Sequence, residues 1–356
     1  MAHRKVNSEE TLERLRQILN DKHRDLRTLL YKDIVSNSLR CQSDELDILD
    51  LKVISRAMAE FRYAACVFKP YRDIRKVSMF GSARVPSDSP YYQMAVDLGR
   101  QLAEAGFMVI TGAADGIMKA GIEGAGADNS FGANILLPFE EGPNRIIKDD
   151  PKVVKFKYFF TRKIFFVMEA DGIALFPGGF GTHDEGFEVL TLLQTGKTPP
   201  MPVVLMEAPG DRYWETWDGF VRTQLLKRGF ISREDLSFYA IVNSPEEAVQ
   251  RVRSYYSTYH SMRQVRDRLV IRLEKELSNE AIRSLGRSFR DVLQKGEIAK
   301  SAPLPEESDE PALLSKSRIV LTNNRKSAGR LNEMVLAINL LGESEKADIS
   351  RFERTS

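Results

Sequence analysis

Between Arg75 and about Ser257 the chain repeats one pattern: a short apolar run, a turn, then a segment with apolar residues at helical spacing. The runs are KVSMF, FMVIT, GANILL, GIALF, PVVLM and YAIV. They do not alternate with polar residues, which predicts strands buried on both faces. Helices are predicted over Tyr91–Ala105, Gly116–Ala127, Thr161–Ala170, His183–Thr195, Trp214–Lys227 and Pro245–Tyr256. The last has a well-formed start, with Ser244 as N-cap, Pro245 in the first helical position and Glu247 closing a capping box. Strands alternating with helices imply right-handed crossovers and a doubly wound parallel sheet, an α/β Rossmann-like fold.

The flanks follow other patterns. Residues 8–35 place Leu12, Leu15, Ile18, Leu19, Leu26, Leu29 and Leu30 at mainly helical spacing. The polar stretch SNSLRCQSDE breaks that pattern, and a second helix is predicted from about Leu46 to Phe68. After residue 260 a smaller α/β pattern returns. RLVIRL reads as a strand, Ser278–Leu293 as a helix, SAPLPEESDEPALLSKS as an acidic proline-rich connector, RIVLT as a strand and Arg330–Leu341 as a helix. The expected organisation is a helical N-terminal extension (1–74), a Rossmann-like domain (75–260), a small C-terminal α/β domain (261–341) and a loose polar tail (342–356).

Composition narrows the function classes. The 356 residues carry 52 basic against 50 acidic side chains, so no global field favours nucleic acid or an anionic membrane. Cys41 and Cys66 have no metal-type spacing and make no disulfide framework, which points to a reducing cytoplasm. MAHRKVNSEETLERL lacks the apolar region of a signal peptide, and no run approaches the roughly 20 apolar residues of a membrane span. His3, His23, His183 and His260 are scattered, so no metal site is expected.

The candidate chemistry starts at LFPGGFGTHDEGFEVL, residues 175–190. Gly178, Gly179 and Gly181 directly follow an apolar run and precede a helical pattern. A strand-to-helix turn is satisfied by one glycine; this one leaves backbone N–H groups open to wrap an anion, and Thr182 adds a hydroxyl. FGSAR (80–84) and TGAADGIM (111–118) follow earlier strands, so all three loops are expected to line one crevice. TGKT at 195–198 is not a P-loop, because Thr191 stands where that motif needs glycine. Asp184 likewise occupies the third glycine of a G-x-G-x-x-G fingerprint.

Two charge placements bear on the site. Glu185 falls in the first turn predicted after the glycine loop, where acids commonly stabilise a helix start. In YFFTRKIFF, a helix capped by Thr161 would place Arg162 and Lys163 in its first turn, the wrong end for cations. An anion held between them and the glycine loop would supply the missing counter-charge.

PGGFGTHDE matches P-G-G-x-G-T-x-x-E and so resembles the LOG (LONELY GUY) family, long mislabelled as lysine decarboxylases. TRK, FGSAR and GAADGIM match further family elements in the same order, over about residues 75–255, and the flanks resemble the longer bacterial subgroup. The resemblance implies a phosphoribohydrolase that cleaves nucleoside 5′-monophosphates, of AMP or cytokinin type, to free base and ribose 5-phosphate. It implies Arg162 and Glu185 as catalytic residues. It places substrate contacts on Gly81, Ser82, Gly112, Gly116, Met118, Lys163, Gly178, Gly179, Phe180, Gly181, Thr182 and Thr191. It implies no cofactor and a homo-oligomer with active sites near subunit contacts. His183 stands where the family commonly has leucine, and Ala113 replaces a frequent glycine.

On this reading Glu185 binds the ribose hydroxyls, stabilises the oxocarbenium-like sugar or activates water, while Arg162 serves the phosphate or the leaving base. Three rival readings stand beside it. A non-catalytic nucleotide or second-messenger binder explains the glycine loops but leaves Arg162 and Glu185 idle. A molybdenum-cofactor carrier of similar fold predicts co-purifying molybdenum. Nucleic-acid binding would use the mixed basic and aromatic residues between Arg251 and Arg272, although a helix with a tyrosine-rich packing face accounts for the same spacing.

Overall fold

The computed structural model describes residues 8–21, 25–137, 142–345 and 347–353; His3 and His23 lie outside them. The chain divides into two compact units, residues 1–62 and 63–356. In the first, α1 (Ser8–Asn20) and α2 (Leu26–Ser43) precede α3 (Ile48–Phe68), which runs into the second unit. Asp25 caps α2 by accepting from the Thr28 amide at 3.1 Å. The stretch read as a break is helical to Ser43, with Asn37, Ser38 and Ser43 donating to the helix's own carbonyls, as in Ser38 Oγ to Ile34 O at 2.9 Å.

The second unit holds a seven-stranded parallel sheet. Its strands are β1 (Lys76–Phe80), β2 (Met108–Thr111), β3 (Ser130–Ile135), β4 (Val153–Phe156), β5 (Gly172–Leu175), β6 (Val203–Met206) and β7 (Tyr239–Val242). The order across the sheet is β4-β3-β2-β1-β5-β6-β7, so the progression reverses beside β1. Helices α4 (Pro90–Glu104), α5 (Ile117–Ala125), α6 (Phe159–Met168), α7 (Phe180–Gln194) and α8 (Tyr213–Phe220) connect these strands, and α9 (Pro245–Tyr255) follows β7. Met79, Val109, Ala174 and Val204 pack with Leu98 of α4, Ile117 of α5 and Val252 of α9 in one apolar core. Phe68 stacks on Phe131 and Phe165, with centroids 4.4 and 6.0 Å away. Ser244 caps α9 as predicted, accepting from the Glu247 amide at 3.2 Å.

A four-stranded antiparallel sheet follows, in the order β10-β11-β9-β8. It comprises β8 (Tyr259–Val265), β9 (Arg268–Leu273), β10 (Leu293–Lys300) and β11 (Ser317–Asn323), with α10 (Asn279–Ser288) and α11 (Ala328–Glu343). The helix predicted to reach Leu293 stops at Ser288, and Leu293 opens a strand instead. α11 is tied to the parallel-sheet side through buried amides: Tyr255 donates to Asn332 Oδ1 at 2.6 Å, and Asn339 donates to the Tyr255 carbonyl at 2.7 Å. The tail is held as far as it is described, with Ile349 buried and the Phe352 carbonyl accepting from Arg330 at 3.0 Å.

The segment from Arg251 to Arg272 is α9 followed by two strands, not one helix. Tyr255 and Tyr259 are buried, so their rings are not presented for base stacking. The acidic connector folds back on the basic strands: Arg263 meets Asp309 at 2.6 Å and Glu310 at 2.7 Å, while Arg272 and Arg318 share Glu307. The two oppositely charged stretches thus neutralise each other within the fold.

Candidate active site

In an open parallel sheet the crevice forms where the strand order reverses, outside the carboxyl ends of the strands. Here that place is between β1 and β5, which pair from Val77↔Gly172 to Phe80↔Leu175. The loops after β1, β2 and β5 meet there. The Ser82 amide donates to the Pro177 carbonyl at 3.1 Å, and the Ile117 amide donates to the Ser82 carbonyl at 3.1 Å. Gly116, at φ +61°, is a helix cap where a Cβ would strike the backbone of Ser82 and Ala83. The three loops enclose a cavity of about 770 Å³.

Of the residues singled out from the sequence, Gly81, Ser82, Gly112, Met118, Arg162, Gly178, Gly179, Phe180, Gly181, Thr182 and Glu185 line this cavity. Gly116, Lys163 and Thr191 do not. Gly116 supports two loops from behind. Thr191 is exposed farther along α7, its hydroxyl donating to the Phe187 carbonyl at 2.7 Å. Arg84, Asn134, Ile135, Leu137, Phe159 and Phe166 also line the cavity. Arg84 belongs to FGSAR, and Asn134 is the polar residue inside the apolar run of β3; the apolar residues have no local signal.

The glycine turn starts its helix earlier than the periodicity implied. Gly179 caps α7, and the Thr182 and His183 amides both reach its carbonyl, at 3.1 and 3.2 Å. The Phe180 and Gly181 amides therefore precede the first donor of the helical ladder, Thr182, and suit an anion. A Cβ on Gly178 would collide with Thr182, whereas Gly179 and Gly181 face open space. Tyr213 secures the turn, donating to the Gly178 carbonyl at 2.5 Å. His183 Nε2 stands 2.7 Å from the same hydroxyl, whose proton is committed to Gly178, so the ring donates to it through Nε2–H. Burial lowers the His183 pKa and favours that neutral ring. Ala113 is held at φ +55° by bonds from its amide to Thr111 Oγ1 and from Asn144 to its carbonyl.

The charges are arranged differently from the expectation. α6 starts at Phe159 with Tyr158 as its cap, and Thr161 lies inside the helix, donating to the Tyr158 carbonyl at 2.9 Å. Arg162 and Lys163 are thus its fourth and fifth residues. Glu185 is likewise the sixth residue of α7, not part of its first turn. Protein carboxylates supply the counter-charges. Lys163 Nζ lies 2.8 Å from Asp184 and 2.9 Å from Glu188, and Arg162 Nη2 lies 3.5 Å from Glu185. Burial works against the Lys163 ammonium, but Asp184 and Glu188 prevail and raise its pKa. Burial pushes the Glu185 carboxyl up to about 7, against the pull of Arg162 and Lys163.

A carboxyl group poised near neutrality, an adjacent guanidinium and an anion-binding turn share one cavity. Such a set can hold a phosphorylated ligand and move a proton at a group beyond the phosphate. Among the described residues no group of three or more His, Cys, Asp and Glu is placed to hold a metal ion. No described helix is long and apolar enough to cross a membrane.

Residues 110–252 match the family model described as "Possible lysine decarboxylase". No curated protein matches the chain. Solved structures similar to it include a structural-genomics target, at 24% identity over 50% of this chain and 97% of that one, with TM-score 0.36. A molybdenum cofactor binding protein from the phototrophic bacterium Rippkaea orientalis shows 18% identity over 51% of this chain and 95% of that one, with TM-score 0.37. The molybdenum cofactor carrier protein of Chlamydomonas reinhardtii shows 17% identity over 51% and 96%, with TM-score 0.36.

Proposed function

We propose that this protein, whose residues 110–252 match the family model described as "Possible lysine decarboxylase" and whose motifs resemble the LOG family, hydrolyses the N-glycosidic bond of nucleoside 5′-monophosphates. The observation that carries this reading is Glu185: a buried carboxyl with its pKa near 7, in the same cavity as a turn whose leading amides suit a phosphate. The 5′-phosphate sits on the turn from Gly178 to Thr182, and the ribose extends toward Glu185 and Arg162. As the C1′–N bond breaks, positive charge builds on the sugar ring and negative charge on the base. The Glu185 carboxylate stabilises the ring and accepts a proton from the water that adds to C1′, and that proton then passes to the departing base, restoring the carboxylate. The base leaves through the apolar part of the cavity, past Met118, Ile135 and Leu137.

A pyridoxal-dependent decarboxylase needs a lysine to hold its cofactor, and among the described residues none that lines the cavity is a lysine. Lys163, the nearest candidate in sequence, is held between Asp184 and Glu188. The test of the hydrolase reading is incubation with AMP, following adenine and ribose 5-phosphate by chromatography. Stoichiometric release of both is expected. AMP that binds but stays intact makes the protein a nucleotide carrier instead.

The oligomer expected from the resemblance gains a candidate surface. Phe160, Ile164 and Met168, at successive i, i+4 positions on α6, are 48, 41 and 57% exposed. They lie on the same helix as Arg162, which fits an assembly with its sites near subunit contacts. Light scattering is expected to give more than one chain per particle, with Ile164→Asp shifting it toward monomer. A wild-type protein that stays monomeric at micromolar concentration removes this surface from consideration.

A further inference from the structure

Among the described residues around the glycine turn, one cation makes no ion pair. Arg162 faces Glu185, and Lys163 lies between Asp184 and Glu188. Arg84 also lines the cavity, yet among the described residues its guanidinium has no carboxylate within ion-pair distance in the structure. Its position is set by the two loops flanking the strand reversal. The Ser82 amide is bonded to Pro177, and the Arg84 amide donates back to Ser82 Oγ at 3.1 Å. A Cβ on Gly178 would lie 3.0 Å from the Ser82 nitrogen, so the segment bearing Arg84 runs directly beside the anion turn.

Counting charge explains why this matters. The cations Arg162 and Lys163 face the carboxyls of Asp184, Glu185 and Glu188, so a phosphate dianion entering this neighbourhood meets no surplus positive charge from them. Backbone amides orient a phosphate but carry only partial charge. A guanidinium offers a full charge and a planar fork that matches two phosphate oxygens. We infer that Arg84 is the phosphate-selecting residue of this site, closing over the 5′-phosphate from the β1 loop, while Lys163 ties α6 to α7 instead of binding substrate. The inference rests on the nucleotide reading above and assigns its specificity for phosphorylated over free nucleosides to one side chain.

The experiment compares AMP with adenosine in wild type, Arg84→Gln, Arg84→Lys and Lys163→Gln. Losing a charge-assisted hydrogen bond weakens binding by roughly 10- to 100-fold. The AMP-to-adenosine ratio of kcat/KM is therefore expected to fall by about that factor in Arg84→Gln, chiefly through KM. Arg84→Lys restores part of it. Lys163→Gln lowers both substrates alike, because it loosens two helices without touching the phosphate. An unchanged ratio in Arg84→Gln, or a ratio that collapses in Lys163→Gln instead, overturns the assignment. Calorimetry separates this from the hydrolase reading. If wild type binds AMP without cleaving it, the same ratio is read from dissociation constants, and Arg84 stands or falls on that result. If wild type binds neither compound, both readings fail. Arg84 is exposed, so a melting temperature close to wild type is expected to accompany the binding loss.

Discussion

Glu185→Gln slows adenine release from AMP by about 10²- to 10⁴-fold, the usual contribution of a positioned acid–base group. The substitution keeps the side chain's size but removes both its charge and its capacity to take a proton. The carboxyl is 5% exposed and accompanied by Arg162, so its ionisation is controlled by the site more than by bulk water. The pH profile gives a second readout. With its pKa raised to about 7 by burial, Glu185 is largely protonated at pH 6 and ionised at pH 8. If the carboxylate is the working form, kcat/KM climbs through pH 7 and levels off above it. The glutamine variant loses that limb. A rate that falls through pH 7 reassigns Glu185 as a proton donor to the base, and full turnover by the variant removes it from the chemistry. Steady-state rates from pH 5.5 to 9, with a circular-dichroism melt to confirm folding, decide among these outcomes.

Glu307→Ala destabilises the second unit by about 3 kcal/mol or more, read as a lower urea midpoint at unchanged slope. Glu307 is fully buried and accepts from Arg272 Nε at 2.9 Å, Arg318 Nη1 at 2.7 Å and the Leu304 amide at 2.9 Å. Burial opposes its charge, but the Leu304 amide and the two arginines prevail and lower its pKa. Removing it leaves two guanidiniums buried with less compensation. Arg272 keeps Glu310 at 2.7 Å, and Arg318 keeps the carbonyls of Leu313, Leu314 and Lys316, which places the expected loss toward the lower end of the range for broken buried pairs. A loss below about 1 kcal/mol means the cluster is far better hydrated than its burial implies. Replacing Arg272, Glu307 and Arg318 together by apolar residues is expected to cost less than removing Glu307 alone, because no unpaired charge remains.

How legible each part was depended on how local its cause is. The buried strands were visible because a parallel strand covered on both faces must be apolar throughout, as in MVIT and VVLM. The edge strand β4, VVKF, went unseen because its exposed Lys155 interrupts the run. Strands β8 and β10 have mostly partly or fully exposed residues, and their pairing partners rather than their own composition make them strands. The glycine turn was legible because three glycines in a short span have few other uses. The start of α7 was not, since Phe180 is exposed and breaks the apolar period just where the helix begins.

The sequence by itself determined six of the seven parallel strands and the helices that follow them, the three loops after β1, β2 and β5, and the pair of residue types at Arg162 and Glu185. These follow from periodicity and from side-chain chemistry, which act within a few residues. Only the tertiary structure decided which charges compensate one another. It set Lys163 against Asp184 and Glu188 across two helices, raised the Glu185 carboxyl by burying it, and removed Thr191 and Gly116 from the cavity wall while adding Arg84 and Asn134. Distance and dielectric govern those outcomes, and both arise only when strands far apart in the chain are brought side by side.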